Sequence, residues 1–333
     1  MKTLVLAPFS TDGLACLRDL GDVVYEPWTD TQEIQDPEEL GQRIADEGVD
    51  ALVVEIDFLF NELFDTAPGL RFAAICRAAL NQVDLEAATD RGVVITHTPG
   101  RNAQAVAELV LGHLLSLARH IPPSNSFVVD GQWQDPTEAY TRFQGRELAG
   151  ATLGLIGLGQ IGRRVARLAR GVGMNILAYD PYVTRDTRPA SGVTLVELDA
   201  LLAASDFVSI HVPETSETIG MLNGEALAKM RANAYLENVT SPAIVDRDAL
   251  VDALRTGKLA GAAMDVHDSH PLAPDSPFIG MPNVLLTPHI GGATKETIDR
   301  HSAMVAEDLR RFARGIKPKH LANPGVWARR RKL

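Results

Sequence analysis

Cysteine is scarce. Cys16 and Cys76 are the only two in 333 residues, too few for a disulfide framework or a cysteine metal cluster, and they fit a reducing, cytoplasmic setting. An excess of basic residues is also missing. The net charge of -11 argues against wrapping a polyanion, which needs a basic face, and the one basic run, Arg329 to Lys332, reads as a solvated tail. Nucleic acid is therefore not an expected partner. Long apolar runs are absent as well. The longest, "AVAELVLGHLLSLA" at 105–118, holds Glu108 and His113 and stops short of the ~20 residues that span a bilayer, so it reads as a buried helix and no membrane is expected. The opening "MKTLVLAPF" is too short for a signal-peptide core before "STDG" interrupts it, and it reads as a first strand.

What is present is a globular composition, 45% apolar and 23% charged, in a chain long enough for two domains. Short β-rich runs alternate with helical patterns. "KTLVLAP" (2–8), "VDALVVE" (49–55), "LRFAAIC" (70–76) and "GVVITHT" (92–98) make a first set, which implies βα units and a parallel sheet. The stretch 122–148 shows little periodicity, is rich in turn formers and reads as an excursion between domains. A second alternation begins at "ATLGLIGLG" and continues through 174–180, 206–212, 234–239, 259–266 and 283–289, giving six strands of a doubly wound sheet. Thr294 then starts a helix closed by Gly315, and the remaining tail must return to the first domain. The expected division is 1–101 with 295–333, and 102–294.

Gly157, Gly159 and Gly162 stand in G-x-G-x-x-G spacing after an apolar strand, at the opening of a helix whose expected apolar face is Ile161, Val165, Leu168 and Val172. In that context the first glycine permits the tight turn, the second lets backbone approach a pyrophosphate, and the third lets helix and strand pack closely. The helix N-terminus would face the phosphates. Asp180 ends the next strand, where a carboxylate accepts hydrogen bonds from the adenosine ribose and repels a 2′-phosphate, so NAD is favoured over NADP. Arg185 and Arg188 lie just beyond and weigh the other way.

Ligands of an open parallel sheet bind outside the carboxyl ends of the strands, here 211–215, 240–243, 265–271 and 288–294. His289 in "PHIGGAT" places an imidazole beside glycines, and Asp268 in "DVHDSHP" can converge on it. Imidazole can deliver a proton to a forming alkoxide near neutral pH, and a carboxylate on its far nitrogen fixes the tautomer. His267 and His270, which flank Asp268, read as exposed loop histidines.

The segments "GLIGLGQIGRRVA", "AGAAMDV", "NVLLTPHIGGAT", "VDLEAATDRGVVITHTPG" and "AVAELVLGHLLSLAR" resemble the D-isomer-specific 2-hydroxyacid dehydrogenases over about residues 70–325. The resemblance implies α/β architecture, with a doubly wound (Rossmann) NAD domain inserted into a flavodoxin-like substrate domain, and a homodimer. It implies His289 as acid/base and Asp268 in the place of the usual glutamate. Asp265 would hold the nicotinamide carboxamide, and His211, Val212 and Pro213 would line the adenosine side. Gln160, Ile161, Pro181, Thr218, Val239, Thr240, Gly291 and Gly292 complete the expected cofactor contacts. No metal is expected.

One position departs from the family. N-x-[AST]-R-G is usual after the fifth strand, with the arginine gripping the substrate carboxylate, yet Ser241-Pro242 follows Asn238-Val239-Thr240. A serine hydroxyl offers one donor and no charge in place of a guanidinium fork. The glycine-containing loop that binds the carboxylate in relatives reads "RAALNQVD" at 77–84, with Ala78 and Ala79 for the glycines. Three readings follow: a 2-hydroxyacid dehydrogenase whose grip comes from Arg77, Arg101 or Arg142; an oxidoreductase for a small substrate lacking the α-carboxylate; or an NAD(H)-binding sensor or protein-interaction module without turnover. Retention of His289 and a nearby acid favours an enzyme.

Overall fold

The computed structural model describes residues 1–183 and 191–332. The chain divides into two compact units, residues 1–101 with 294–333, and residues 102–293. Arg185 and Arg188 lie outside the described residues.

In the first unit, strands β1 (Lys2–Val5), β2 (Asp22–Tyr25), β3 (Ala51–Val54), β4 (Phe72–Ile75) and β5 (Val94–His97) form one sheet in the order β2-β1-β3-β4-β5. Every pairing is parallel. This is the flavodoxin-like order. β3 and β4 are buried along their whole length, as strands covered by helices on both faces must be. One face carries Leu4, Leu52, Leu63 and Ile75, and the other carries Val5, Val53, Phe72 and Phe312. Each such side chain contributes about 1.5–3 kcal/mol on full burial. The last of these comes from Lys295–Ala313, a helix capped by the Thr294 side chain on the amide of Thr297. The edge strand β2 escaped the sequence reading because none of its four residues is fully buried.

The second unit holds β6 (Thr152–Ile156), β7 (Asn175–Tyr179), β8 (Val193–Leu195), β9 (Phe207–Ile210), β10 (Ala234–Asn238), β11 (Leu259–Met264) and β12 (Val284–Leu286). The order is β12-β11-β10-β9-β6-β7-β8, again all parallel. This is the doubly wound arrangement, whose winding reverses between β6 and β9. The sequence marked six strands, and the seventh is the three-residue edge strand β8. The segment after residue 121 is more regular than its turn-rich composition suggests, with helices at Ile121–Val129 and Glu138–Arg142. Pro122 and Pro123 fit there because both lie in the first turn, where no intrahelical amide is needed.

The helix after the glycine motif, Gln160–Gly171, buries Gly162, Val165, Ala166 and Ala169. The expected face is shifted: Ile161 and Leu168 pack at its margin, and Val172 lies past the last helical turn and is exposed. The small residues Gly162, Ala166 and Ala169 bring the helix close to the sheet, and one added methyl at Gly162 would stand 2.3 Å from the Gly157 carbonyl oxygen.

Candidate active site

The loops at the carboxyl ends of β6 and β9 abut at the winding reversal. Gly157 has φ +97, and a Cβ there would lie 2.8 Å from the carbonyl carbon of His211. Its amide donates to Tyr179 O at 2.8 Å, and the His211 amide donates to Ile156 O at 2.7 Å. A Cβ on Gly159, by contrast, would meet nothing within 4 Å. Backbone therefore faces open space at Gly159, and the helix beginning at Gln160 and Ile161 has no side-chain cap on its first amides. Uncapped amides at a helix N-terminus and an open glycine are what a pyrophosphate requires.

Asp180 ends β7. Its carboxylate accepts from Leu158 N at 2.8 Å and from Tyr182 N at 3.0 Å, so the turn through Pro181 and the glycine loop are tied to one half-buried anion. Beyond β9, Thr218 Oγ1 donates to Pro213 O at 2.6 Å and accepts from Thr215 N at 2.8 Å, closing the loop that follows Val212. His211 is buried, and burial pushes its pKa down to about 3.

After β11, Asp265 is 1% exposed and fully engaged with the chain beyond β12. It accepts from Thr287 Oγ1 at 2.6 Å, Ile290 N at 2.9 Å and Gly291 N at 2.8 Å. The role expected of Asp265 was to hold a nicotinamide carboxamide. The same carboxylate anchors the loop on both sides of His289. A Cβ on Gly291 would lie 2.9 Å from Asp265 Oδ2, so that approach needs glycine, while Gly292 sits beside the Asn102 side chain. His289 itself has φ +56, a left-handed conformation that costs a non-glycine residue of order 1–3 kcal/mol and persists only where surroundings enforce it.

The expected pairing of His289 with Asp268 is not what the ring meets at Nδ1. His270 Nε2 lies 2.9 Å from His289 Nδ1, with ring centroids 4.9 Å apart. Asp268 has a side chain 58% exposed and faces Arg247 at 3.7 Å. The shorter aspartate side chain is thus drawn to a surface arginine, and a histidine two residues on reaches the catalytic candidate. His267 is not the exposed loop residue that its sequence suggests: it is buried and its Nε2–H donates to Thr287 O at 2.8 Å.

Ser241 is buried at the end of β10. Its Oγ donates to Glu214 Oε2 at 2.5 Å and accepts from Ala243 N at 3.2 Å, and its carbonyl accepts from Asn238 Nδ2 at 2.8 Å. Thr240 hydrogen-bonds Asn238 through both amide and hydroxyl, and Val239 packs at the edge of the core. Where a guanidinium was expected, the second unit presents a serine holding a carboxylate.

The three candidate arginines differ. Arg101 is committed to the first unit, 2.5 Å from Glu55 and 2.8 Å from His301 Nδ1. Arg142 pairs with Glu138 at 3.0 Å and stacks over Phe127 at 4.7 Å. Arg77 follows β4, half-buried, with Gln82 Oε1 at 3.3 Å. Ala78 and Ala79 follow it on an exposed bend without positive φ, so alanine costs no strain there, and the Ala78 carbonyl accepts from His97 Nδ1 at 3.0 Å.

Residues 111–291 match the NAD-binding domain of the D-isomer specific 2-hydroxyacid dehydrogenases. The chain belongs to that family. A glyoxylate reductase of Thermofilum pendens is 38% identical over 327 residues, 98% of this chain and 95% of the relative. A D-3-phosphoglycerate dehydrogenase of Archaeoglobus fulgidus is 35% identical over 324 residues, 97% of this chain and 59% of that longer protein. The crystal structure of the TT0316 protein from Thermus thermophilus superimposes with a TM-score of 0.85 at 35% identity, covering 97% of this chain and all of that one.

As a D-2-hydroxyacid dehydrogenase relative, the chain is an NAD-dependent oxidoreductase acting between CH–OH and carbonyl. The open cradle at Gly159 and the uncapped amides of Gln160 and Ile161 fit that cofactor. Among the described residues, no helix is long and apolar enough to cross a membrane, and no group of three or more metal-binding side chains occurs. Two contributors, Glu214 and Glu237, escaped the sequence reading, and His270 was read there as an exposed loop histidine. Glu214 and His270 reach their partners only through loop geometry. Glu237 was visible in principle, as a carboxylate inside a strand whose other buried residues are Ala234, Leu236 and Asn238.

Proposed function

We propose that His289 is the acid/base of a hydride transfer between NAD(H) and a small 2-hydroxy or 2-keto acid or a related carbonyl compound. The observation that carries this reading is the double anchoring of the His289 loop by Asp265, which holds an imidazole in a strained backbone at the carboxyl edge of the sheet. Nδ1 is oriented by His270, and Nε2 is the nitrogen that would give its proton to the forming alkoxide on reduction. Bound NADH supplies the hydride. Gly157, Gly159, Gly162, Asp180, His211 to Pro213, Thr218, Val239, Thr240, Gly291 and Gly292 make up the proposed cofactor site.

Ser241 with Glu214 favours substrates without the usual carboxylate grip from the second unit. Arg77 is the proposed alternative source of that grip, because Arg101 is held by Glu55 and Arg142 by Glu138. The experiment is a turnover screen with NADH across glyoxylate, longer 2-keto acids, aldehydes and simple ketones. Turnover of any of them supports the reading. Tight NADH binding with no turnover across the screen overturns it in favour of a cofactor-binding sensor, which the family relationship does not favour.

The protein is also proposed to be a homodimer in a reducing cytoplasm. Leu115, Ile121, Val128, Val129, Trp133 and Tyr140 are 38–82% exposed within 26 residues of the second unit, more apolar surface than a lone solvated face carries, and both cysteines are free. Light scattering on the purified chain reads the mass directly.

A further inference from the structure

Beneath the His289 loop a chain of polar side chains crosses the buried sheet. Glu237 is the fourth residue of β10 and fully buried. Its Oε1 lies 3.2 Å from His113 Nδ1, on the helix Ala103–Arg119, and its Oε2 accepts a hydrogen bond from Ser209 Oγ in β9. His113 is 3% exposed, and its Nε2 lies 3.3 Å from Thr287 Oγ1, which donates to Asp265 Oδ1.

The proton positions follow from the partners. Asp265 also accepts two backbone amides, so the Thr287 hydroxyl proton points at it, and Thr287 Oγ1 must accept from His113 Nε2–H. Ser209 gives its proton to Glu237, so it accepts from His211 Nε2–H at 2.9 Å. One proton then remains for the contact between His113 Nδ1 and Glu237 Oε1. Burial holds the Glu237 pKa above the usual carboxylate range against the lowering effect of the His113 and Ser209 hydrogen bonds, and with the proton on either partner His113 keeps its Nε2–H.

Stability does not account for the pair. A buried ion pair is often matched or bettered by aliphatic side chains of similar volume. Leu236 in β10 and Leu114 in the helix, each one residue from the pair, are buried aliphatics already.

We propose that His113 and Glu237 are positioning residues for the loop that carries His289, acting through Thr287 and Asp265. With Nδ1 engaged by Glu237, His113 is fixed as an Nε2–H donor and its ring cannot turn. That hydrogen bond orients the Thr287 hydroxyl, which in turn saturates Asp265 Oδ1 and leaves the two carboxylate oxygens aimed at the amides of Ile290 and Gly291, the two residues after His289. The part the loop plays in chemistry rests on the proposed function, but the coupling of pair to loop does not.

Amide hydrogen exchange on the full chain tests this directly, with Ile290 and Gly291 as reporters of the loop and Leu155 in β6 as reporter of the core. His113→Asn retains a group at the Nδ1 position for Glu237 and loses the one facing Thr287, whereas His113→Gln reaches the Nε2 position. The expected result is at least tenfold faster exchange at Ile290 and Gly291, relative to Leu155, in His113→Asn and in Thr287→Val, with His113→Gln recovering most of the protection. Glu237→Gln can still satisfy both neighbours and is expected to resemble the wild type. With glyoxylate and NADH, His113→Asn is expected to lower kcat while the NADH dissociation constant stays within twofold. Unchanged exchange at Ile290 and Gly291 in His113→Asn, or equal loss in the Asn and Gln variants, overturns the proposal. So does faster exchange at Leu155 to the same degree, since the pair would then hold the core and not the loop. A wild type that turns over no carbonyl compound would defeat the proposed function and leave the exchange result standing.

Discussion

His270 Nε2 meets His289 Nδ1 at 2.9 Å, so an imidazole occupies the position beside the proposed acid/base where a carboxylate was expected. A carboxylate would stabilise the imidazolium by opposite charge, whereas a neutral imidazole offers a hydrogen bond alone. His270→Glu is therefore expected to raise the pKa of His289. Reduction uses the protonated ring, so the pH above which kcat/KM for reduction declines should rise by about one unit or more. The pH–rate profile of wild type and variant checks it.

At Ser241 the expectation concerns charge. Ser241→Arg alone would place a guanidinium against Glu214, which the Ser241 hydroxyl now meets at 2.5 Å, and that pair would be spent internally. Combined with Glu214→Leu, the arginine is left to a substrate carboxylate. The double variant is expected to lower KM for glyoxylate by about tenfold or more, consistent with the ~2–5 kcal/mol scale of buried charge pairing, while the single variant changes it little. Steady-state kinetics on the two variants separate the outcomes.

Asp180 joins the glycine loop to the β7 turn and is the carboxylate proposed to bind an adenosine ribose. Asp180→Ala is expected to weaken NADH binding by tenfold or more and to narrow the preference over NADPH, because loss of the anion also removes its repulsion of a 2′-phosphate. Fluorescence titration with both nucleotides reads the ratio.

Two buried histidines set an acid limit. Burial lowers the pKa of His211 to about 3 and of His301 to about 4, where His301 accepts from Arg101 and donates to Pro8 O at 2.7 Å. Unfolded histidine titrates near 6.5, so the unfolded chain binds protons that the folded chain refuses as pH falls below that value. The stabilisation is present above about pH 6.5 and is lost progressively toward pH 4 to 3. Urea midpoints are expected to fall over this window, and His301→Gln should flatten the decline between pH 6.5 and 4.

The architecture was largely legible because parallel strands buried on both faces must be written as short apolar runs, and the glycine motif fixed where the second sheet begins. Edge strands β2 and β8 were not legible, since half-exposed residues carry no such run. The site was legible to the level of loops. Gly157, Asp180, Asp265 and His289 all fall at the carboxyl ends of strands, where their sequence positions put them. Partner choice within the loops was not. Whether Asp268 or His270 faces His289 depends on the path of residues 266–271, which a single sequence does not specify. Arg247, on a helix after β10, then draws Asp268 away. His267 was misjudged because its hydrogen bond to the Thr287 carbonyl exists only once β11 and β12 lie side by side.

The most direct measurement is the pairing of single-turnover NADH oxidation with NADH binding in wild type and His289→Asn, using the carbonyl substrate found most active in the screen. The account requires an unchanged NADH dissociation constant and a hydride-transfer rate lowered by about 10²–10⁴ in the variant. A variant that binds NADH and oxidises it at the wild-type rate would contradict the assignment of His289 as the proton donor.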